Sequence, residues 1–319
     1  MKRGAPSGIS DFDIDGPVDI VPGLIPLSIL LSLAAAVWGI YWLVLRSLDA
    51  MGLGPAWAVV LLNVIPLPIA IALACFYRQQ LRGYAKASAV IGLCFGLGFA
   101  FYVVGLVFSS VIRVVLLFYL MPVWGTLFGI IWLHEDVSLR RWLAVLIGIA
   151  GLSLMLAPGG GTSAPINIGD ILALLAGLLW ALGSAFTKRF PTVPLHGTMT
   201  VQFLAATFVA VCFAISGQDG LSVPALDAWR RALPLATLYA CLLILPSIYI
   251  CVWCARRLAP GRVGLLMMSE VVVAVGSAAW FLPGERLGLI EWTGAGAIAL
   301  AAVIETTTPT LHHQGSTPT

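Results

Sequence analysis

Charged residues are scarce in this sequence. Asp, Glu, Lys and Arg together make up 10% of the 319 residues, whereas about 25% is usual for a soluble domain. Hydrophobic residues make up 60% of the chain, and the mean hydropathy is +1.02. This composition excludes an ordinary soluble domain and predicts a chain that crosses a membrane several times. The net charge of +3 gives no indication of a nucleic-acid partner.

Motifs that define several other protein classes are also missing. The sequence contains no GxxxxGK[ST] phosphate-binding loop, so no ATP-binding site is predicted in it. An integral membrane enzyme is expected to cluster His, Asp or Cys groups at one face, but the four histidines are scattered, as His134, His196, His312 and His313. The rings of like charge that are typical of channels are not found either. We predict a protein that is not an enzyme and that uses no cofactor.

Six cysteines lie in or beside apolar stretches, which argues against disulfide bonds. Cys251 and Cys254 form a CxxC motif, but no second pair of ligands accompanies it. We therefore predict that the cysteines contribute to helix packing and that no metal is bound.

Ten apolar stretches come close to the ~20 residues that a helix needs to cross a bilayer, and we number them segments 1 to 10. Segments 1 to 5 are residues 24–45, 55–77, 88–108, 111–133 and 139–157. Segments 6 to 10 are residues 169–186, 199–216, 233–254, 263–282 and 290–304. The predicted organisation is a flexible cytoplasmic tail at 1–22, a first five-helix repeat at 23–157, a periplasmic linker at 158–168, a second five-helix repeat at 169–304 and a flexible cytoplasmic tail at 305–319.

The two blocks of five segments share the order of their features. Trp38 in segment 1 aligns with Trp180 in segment 6, and Glu135 after segment 4 aligns with Glu285 after segment 9. Because five is odd, a repeated five-helix unit enters the membrane from opposite sides in its two copies. The sequence therefore predicts an all-α integral membrane protein with ten transmembrane helices arranged as two inverted five-helix repeats, which is the architecture of many secondary transporters.

Basic residues between the segments indicate the orientation of the chain. If the amino terminus is cytoplasmic, twelve Lys and Arg residues fall on the inner side and five on the outer side, the latter being Arg46, Arg113, Arg230, Arg231 and Arg286. By the positive-inside rule, this distribution places both termini in the cytoplasm.

Glu270 is an acidic residue inside the apolar segment 9. A helix would place it about 12 Å from the Arg262 end, within the hydrocarbon layer. A charged carboxylate there costs at least about 2.5 kcal/mol, so it is expected to face other helices or a water-filled cavity. A contact to the solute or to a coupling proton is the functional interpretation, and a protonated or hydrogen-bonded structural glutamate is the alternative.

Aromatic residues supply the other candidates for a solute site. A carrier with inverted repeats binds its solute near the midplane, between the repeats. Large rings there offer apolar area, and their O–H and N–H groups offer hydrogen bonds. Packing between helices, or for the tryptophans a position in the aromatic belt at the membrane interface, is the alternative. The predicted substrate-binding residues are Trp38, Tyr41, Tyr102, Tyr119, Trp180, Tyr249 and Glu270, with Glu270 also predicted to couple transport to protons.

The order of motifs resembles the EamA-type branch of the drug/metabolite transporter superfamily. In the first half the resemblance rests on Pro122 and on Leu133-His134-Glu135, and in the second half on Ala255-Arg256-Arg257-Leu258, Ser269-Glu270 and Pro283-Gly284-Glu285-Arg286. It covers residues 24–304. The resemblance implies ten helices in two related halves and the transport of small metabolites, often the export of amino acids, as in bacterial amino acid exporters of this superfamily.

Two residues depart from the family pattern. His134 stands where the first half usually has glycine, and Val271 follows Glu270 where the family often has proline. The missing proline predicts a straighter segment 9 than in relatives.

We therefore predict a secondary active transporter of the cell inner membrane that works by alternating access. Export of an amino acid, including aromatic ones, is the leading hypothesis. Uptake of another small metabolite and an integral membrane enzyme are the alternatives. The expected partners are a small-molecule solute, the lipid bilayer and a coupling proton, and the sequence leaves both a monomer and a homodimer open.

Overall fold

The computed structural model describes residues 23–109, 111–156, 165–216, 223–281 and 288–307, and within these ranges every regular element is a helix. The parts of the chain outside the described residues include the predicted tail at 1–22, residues 308–319 of the predicted tail at 305–319, most of the predicted linker and the Pro283–Arg286 motif. In the described part of the chain, seven helices are long and apolar enough to cross a membrane: Ile25–Ala50, Pro55–Phe76, Ala85–Leu106, Val114–Leu133, Ile168–Arg189, Leu195–Ile215 and Leu226–Ala255. They correspond to predicted segments 1 to 4 and 6 to 8.

The other three predicted segments are also helical where the structure describes them. Segment 5 is the helix Leu139–Leu156, segment 9 consists of the helices Pro260–Met267 and Ser269–Phe281, and segment 10 is the helix Leu289–Thr307. That these three cross the membrane, and hence the count of ten, stays a prediction. The last helix extends past the predicted boundary at residue 304, so that Glu305, the first residue of the predicted tail, lies inside it.

Several segments are interrupted near their middle. Segment 1 contains a 3-10 turn, Val37–Ile40, between the helices Leu24–Ala36 and Tyr41–Ala50. Segment 4 consists of the helices Val111–Phe118 and Met121–Leu133, and Pro122 lies in the first turn of the second of them. Because proline lacks an N–H group and fixes its φ, it is compatible with the first turn of a helix but not with the interior.

Segment 9 is interrupted without a proline. The N–H of Met268 bonds to the carbonyl of Leu265, and the N–H of Val271 bonds to the carbonyl of Met268, so that both bonds span three residues instead of four. Segment 9 is therefore not one continuous helix, because the tight turn at Met268 separates its two helices. That segment 9 is straighter than in relatives stays a prediction.

The principal contacts between segments follow a twofold pattern. Segment 1 packs against segments 8 and 9, and segment 6 packs in the equivalent way against segments 3 and 4. Segments 2 and 7, 4 and 9, and 5 and 10 pack against each other. Segment 3 packs extensively against segment 7, and segment 2 packs against segment 8 over a smaller area. If each segment is replaced by its counterpart in the other repeat (1 by 6, 2 by 7 and so on), every one of these contacts becomes another contact of the set or stays the same. Two related five-segment repeats are expected to pack in this way.

Segment 3 approaches segment 7 so closely that a side chain larger than hydrogen does not fit between them. A Cβ atom built on Gly92 would lie 2.6 Å from the carbonyl oxygen of Thr198, and one built on Gly96 would lie 2.6 Å from that of Gln202. Small residues at four-residue spacing allow this kind of backbone approach between membrane helices.

We expect Gly96→Ala to destabilise the protein by roughly 1–3 kcal/mol, because the added methyl group forces the two helices apart. Gly296→Ala is the matched control, since nothing lies within 4 Å of a Cβ atom built there. The measurement is the apparent melting temperature of both purified variants in the same detergent. Equal melting temperatures for wild type and Gly96→Ala would contradict the close approach.

Charged side chains form a network across one end of the molecule, the end that the positive-inside rule predicts to be cytoplasmic. Glu135 accepts hydrogen bonds from Lys188 Nζ at 2.5 Å and Arg141 Nη1 at 3.3 Å. Glu305 Oε1 accepts from Arg141 Nε at 3.2 Å and from Arg262 Nε at 2.9 Å. Arg262 and Glu305 are buried, with 1% and 0% of their surface exposed. The network joins the first repeat to the second.

Candidate functional site

Glu270 lies at the point where the interrupted segments 4 and 9 meet. The turn at Met268 places it in the first turn of the helix Ser269–Phe281, where it is partly exposed. Its Oε2 atom accepts a 2.7 Å hydrogen bond from the hydroxyl of Tyr119, and the same hydroxyl lies 3.2 Å from the carbonyl oxygen of Met267. Tyr119 is fully buried in the interruption of segment 4. This hydrogen bond links the two repeats.

The 3-10 turn of segment 1 packs directly against the backbone of Glu270. A Cβ atom built on Gly39 would lie 2.6 Å from the carbonyl oxygen of Glu270 and 2.7 Å from Cβ of Val273. Any other residue at this position would push segment 1 away from segment 9. The hydroxyl of Ser269 also donates to the carbonyl of Ser32 at 2.8 Å. Segment 1 therefore brings the residues next to Gly39 into the neighbourhood of Glu270.

Segment 8 holds this turn in place through hydrogen bonds. Trp38 Nε1 donates to Ser247 Oγ at 2.9 Å, and Ser247 Oγ donates to the carbonyl of Ala34 at 2.6 Å. The hydroxyl of Tyr239 lies 3.2 Å from the carbonyl oxygen of Val37, to which it donates. Because Ser247 occupies the indole N–H, Trp38 offers a solute only its ring.

Aromatic rings surround the turn. The ring of Trp38 lies 5.7 Å from that of Tyr41 and 5.5 Å from that of Phe99, and the rings of Tyr41 and Tyr239 are 6.1 Å apart. Within the described part of the chain, the buried hydroxyl of Tyr41 has no hydrogen-bond partner. An unsatisfied buried polar group costs about 1–3 kcal/mol. A solute with a polar group at this position would remove that cost.

A second group of rings connects Tyr119 to Trp180. Phe118 lies 5.1 Å from Tyr119, 4.6 Å from Tyr102 and 6.3 Å from Trp180, measured between ring centroids. Trp180 is 6% exposed and packs against Phe95 at 5.1 Å. Phe118 therefore lies between Trp180 and Tyr119, so that Trp180 is one side chain further from Glu270 than Tyr119 is.

Tyr249 is the one predicted residue that the structure places elsewhere. Its hydroxyl lies 2.7 Å from Nδ1 of His196, whose ring stacks on Tyr77 at 4.5 Å. These residues belong to a separate polar pocket between segments 2, 7 and 8. Six of the seven predicted site residues thus belong to one group of contacting side chains around Glu270, which we call the Glu270 neighbourhood, and Tyr249 does not. The six are Trp38, Tyr41, Tyr102, Tyr119, Trp180 and Glu270.

Four residues of this neighbourhood were not predicted, namely Phe99, Phe118, Tyr239 and Ser247. A signal for Phe99 was available in the sequence, because Phe95 and Phe99 are four residues apart on segment 3 and therefore lie on one face. In the structure Phe95 contacts Trp180, and Phe99 contacts Trp38. For Tyr239 and Ser247 the sequence holds no signal, because their partners are more than 200 positions away.

Among the described residues, no three His, Cys, Asp or Glu side chains are placed so that they could hold a metal ion. All six cysteines carry free thiols, and Cys251 and Cys254 are buried.

Comparisons with known proteins agree with the arrangement of the helices. A solved crystal structure that is 19% identical superposes with a TM-score of 0.69, over 88% of this chain and 96% of that one, which shows a shared fold. YedA, an uncharacterized inner membrane transporter of Escherichia coli K12, is 32% identical over 171 residues, or 52% of each chain. A riboflavin transporter of Vibrio cholerae is 30% identical over 83 residues, or 26% of this chain and 27% of the relative.

The chain spans about half the length of these curated relatives of Escherichia coli. The sequence profile of the EamA-like transporter family covers more, since it matches residues 26–157 and 167–307. These two blocks take in both predicted repeats and nearly all the described residues. The protein therefore belongs to the EamA-like transporter family.

Proposed function

We propose that the protein is a secondary active transporter that moves a small, partly apolar metabolite across the inner membrane by alternating access. The observation that carries this proposal is the Tyr119–Glu270 hydrogen bond. It joins the two repeats where segments 4 and 9 are both interrupted, beside a group of aromatic rings. Carriers with inverted repeats bind their solutes at discontinuous helices of this kind. The inner-membrane location of YedA and the transport named for both relatives support the proposal.

The proposed cargo carries a ring or another flat apolar group and at least one polar group. Trp38, Phe99 and Tyr41 offer ring faces, and the Tyr41 hydroxyl and the Glu270 carboxylate offer hydrogen bonds. An amino acid, in particular an aromatic one, fits this description, because the carboxylate of Glu270 attracts an α-ammonium group. A flavin-like ring system is a second candidate, which rests on the relative named as a riboflavin transporter.

Flux measurements on the pure protein test this function. Proteoliposomes are incubated with each of the twenty labelled amino acids and with riboflavin, and saturable uptake above that of empty liposomes is expected for at least one of them. No such uptake of any of these solutes would contradict the proposal.

Trp38→Ala is expected to reduce the uptake of the transported solute at least about tenfold, because a loss of 1.4 kcal/mol of binding already has this effect. The control is Trp280→Ala, which removes an indole that is 85% exposed and that lies near the other end of the helix Ser269–Phe281 from Glu270. Both variants are compared at equal amounts of monodisperse protein. If the two substitutions reduced uptake to the same extent, Trp38 would have no special role at the site.

We also propose that both termini face the cytoplasm, on the strength of the basic residues between the segments. In a background without the six native cysteines, Thr162→Cys is expected to react with an impermeant maleimide in intact cells. Ser7→Cys is expected to react only after the membrane is opened. The reverse pattern would contradict the proposed orientation and would place both termini outside the cytoplasm.

A further inference from the structure

A polar pocket separate from the Glu270 neighbourhood lies between segments 2, 7 and 8. Its volume is about 520 Å³, and its lining includes Gln80, Tyr84, Thr192, His196, Tyr249 and Arg256. This volume lies within the range of roughly 300–1,000 Å³ that is usual for small-molecule sites. None of the lining residues takes part in the contacts around Glu270, and the transport proposed above does not use them.

Arg256 brings a positive charge into this pocket without a matching negative one. In the part of the chain that the structure describes, no carboxylate lies within ion-pair distance of its guanidinium group. One of its terminal nitrogens donates to the carbonyl of Val193, whereas its buried Nε has no hydrogen-bond partner among the described residues. Burial lowers the pKa of Arg256 to about 10. Arg256 therefore remains a cation at neutral pH.

The helix Leu195–Ile215 begins at the same pocket. Pro194, Leu195 and His196 all contribute to the lining, and no side chain caps this end of the helix. The first N–H groups of a helix have no acceptor within it, and the helix dipole makes this end positive. The end of a helix and a charged guanidinium thus point to the same kind of ligand, because both favour an anion.

His196 and Tyr249 complete the lining with groups that form hydrogen bonds. The Nδ1 of His196 and the hydroxyl oxygen of Tyr249 are 2.7 Å apart, and Tyr77, the last residue of segment 2, stacks on the imidazole ring at 4.5 Å. These contacts fix the two side chains in position. Gln80 and Tyr84 come from the short stretch after segment 2, so that the pocket is built from three separate parts of the chain.

We propose that this pocket binds an oxyanion, that is, the carboxylate or phosphate group of a small organic anion or of an anionic lipid headgroup. The guanidinium of Arg256 is the charged partner, because a planar guanidinium donates two parallel hydrogen bonds to such a group. The first amides of the helix Leu195–Ile215 contact the same oxyanion. This proposal stands without the transport function, since it requires only that the pocket exists in the folded protein.

The test measures binding to the purified full-length protein. Its melting temperature in a neutral detergent is followed against added inorganic phosphate and, separately, benzoate, with chloride keeping the ionic strength constant. A parallel series compares nanodiscs of phosphatidylcholine with nanodiscs that also contain phosphatidylglycerol. We expect a saturable rise in melting temperature with one of these anions, and an apparent Kd for it that is at least about tenfold weaker in Arg256→Gln.

Arg257→Gln is the matched control. Arg257 is the next residue, but its guanidinium lies 4.1 Å from the ring centre of Trp253 and outside the pocket lining. We expect Arg257→Gln to change the apparent Kd less than twofold. A response to phosphate or benzoate assigns the site to a soluble anion, and a response to phosphatidylglycerol alone assigns it to lipid.

A measurement on the wild type covers the case in which Arg256→Gln does not fold. Phenylglyoxal modifies arginine side chains, and mass spectrometry locates the modified residues. Phosphate, benzoate or phosphatidylglycerol is expected to protect Arg256 but not Arg257. The proposal is overturned if none of these anions stabilises or protects the protein, or if Arg256→Gln and Arg257→Gln respond alike.

Discussion

Glu270→Gln is expected to remove the dependence of transport on a proton gradient and to reduce its rate about tenfold or more. Glutamine still accepts a hydrogen bond from Tyr119 but takes up no proton and carries no charge. A hydrogen bond to a charged group contributes about 1.5–3 kcal/mol, which corresponds to roughly a 10- to 150-fold change in binding. The measurement is uptake of the transported solute into proteoliposomes, with and without an imposed pH difference.

Two further variants separate the roles of Glu270. Tyr119→Phe removes the hydrogen bond but keeps the carboxyl group, so we expect slower transport that still responds to the pH difference. Asp227→Asn neutralises a carboxylate whose side chain is 81% exposed, and we expect no effect. Transport by Glu270→Gln that still responded to the pH difference would exclude Glu270 as the coupling residue.

Glu305→Gln is expected to destabilise the protein by about 3–5 kcal/mol. Glu305 is fully buried and accepts hydrogen bonds from both Arg141 and Arg262. Removing the anion takes from the buried Arg262 the carboxylate to which its Nε donates, and takes from Arg141 one of the two carboxylates with which it pairs. Breaking a buried ion pair in this way has a cost of that size. The measurement is the apparent melting temperature in detergent.

An exposed ion pair provides the comparison for Glu305. Asp227 and Arg230 are 3.8 Å apart and mostly exposed, so Asp227→Asn is expected to change stability by less than about 1 kcal/mol. Arg262→Met combined with Glu305→Gln removes a charge of each sign and is expected to recover part of the loss. If Glu305→Gln melted at the wild-type temperature, the network would not hold the repeats together.

We also propose that this network keeps the predicted cytoplasmic end closed in the state described here. Lys188, Arg262 and Glu305 come from the second repeat, and Glu135 and Arg141 come from the first. Opening this end requires the two repeats to separate, which breaks pairs between them. Glu305→Gln should therefore make cysteines introduced between Glu270 and this end of the molecule react faster with thiol reagents added from that side. Unchanged reactivity would contradict this role.

The sequence was sufficient to locate most of the candidate site. Glu270 and Tyr119 stand out because an acid and a phenol inside apolar segments need partners, and they become partners of each other. Trp38 and Tyr41 follow from their depth in segment 1. The seven longest apolar helices follow from length and hydropathy alone.

Contacts between distant parts of the chain could not be predicted in the same way. Tyr249 has the same depth and chemistry as the other tyrosines, and only the packing of segments 7 and 8 shows that it faces His196 instead of Glu270. Glu305 follows a short apolar stretch and precedes a polar one, so it was assigned to the tail. Its burial depends on Arg141 and Arg262, which are 164 and 43 positions away.

The break in segment 9 shows a limit of reading helix geometry from proline alone. The absence of proline after Glu270 predicts a straighter segment 9 than in relatives, but it gives no sign of the three-residue hydrogen bonds that Met268 and Val271 form. Close packing of Gly39 against the backbone of Glu270 accompanies this turn. The sequence of segment 9 does not indicate the turn at Met268, and the close contact with segment 1 that accompanies it becomes visible only in the structure.

A structure of the protein with its transported solute bound tests the proposed site most directly. We predict density for the solute between Trp38, Tyr41 and Glu270, with the Tyr119 hydroxyl still within hydrogen-bond distance of the carboxylate or displaced from it by the solute. A solute bound elsewhere, with these four side chains unchanged and out of contact with it, would contradict the assignment of Glu270 and its aromatic neighbours as the transport site.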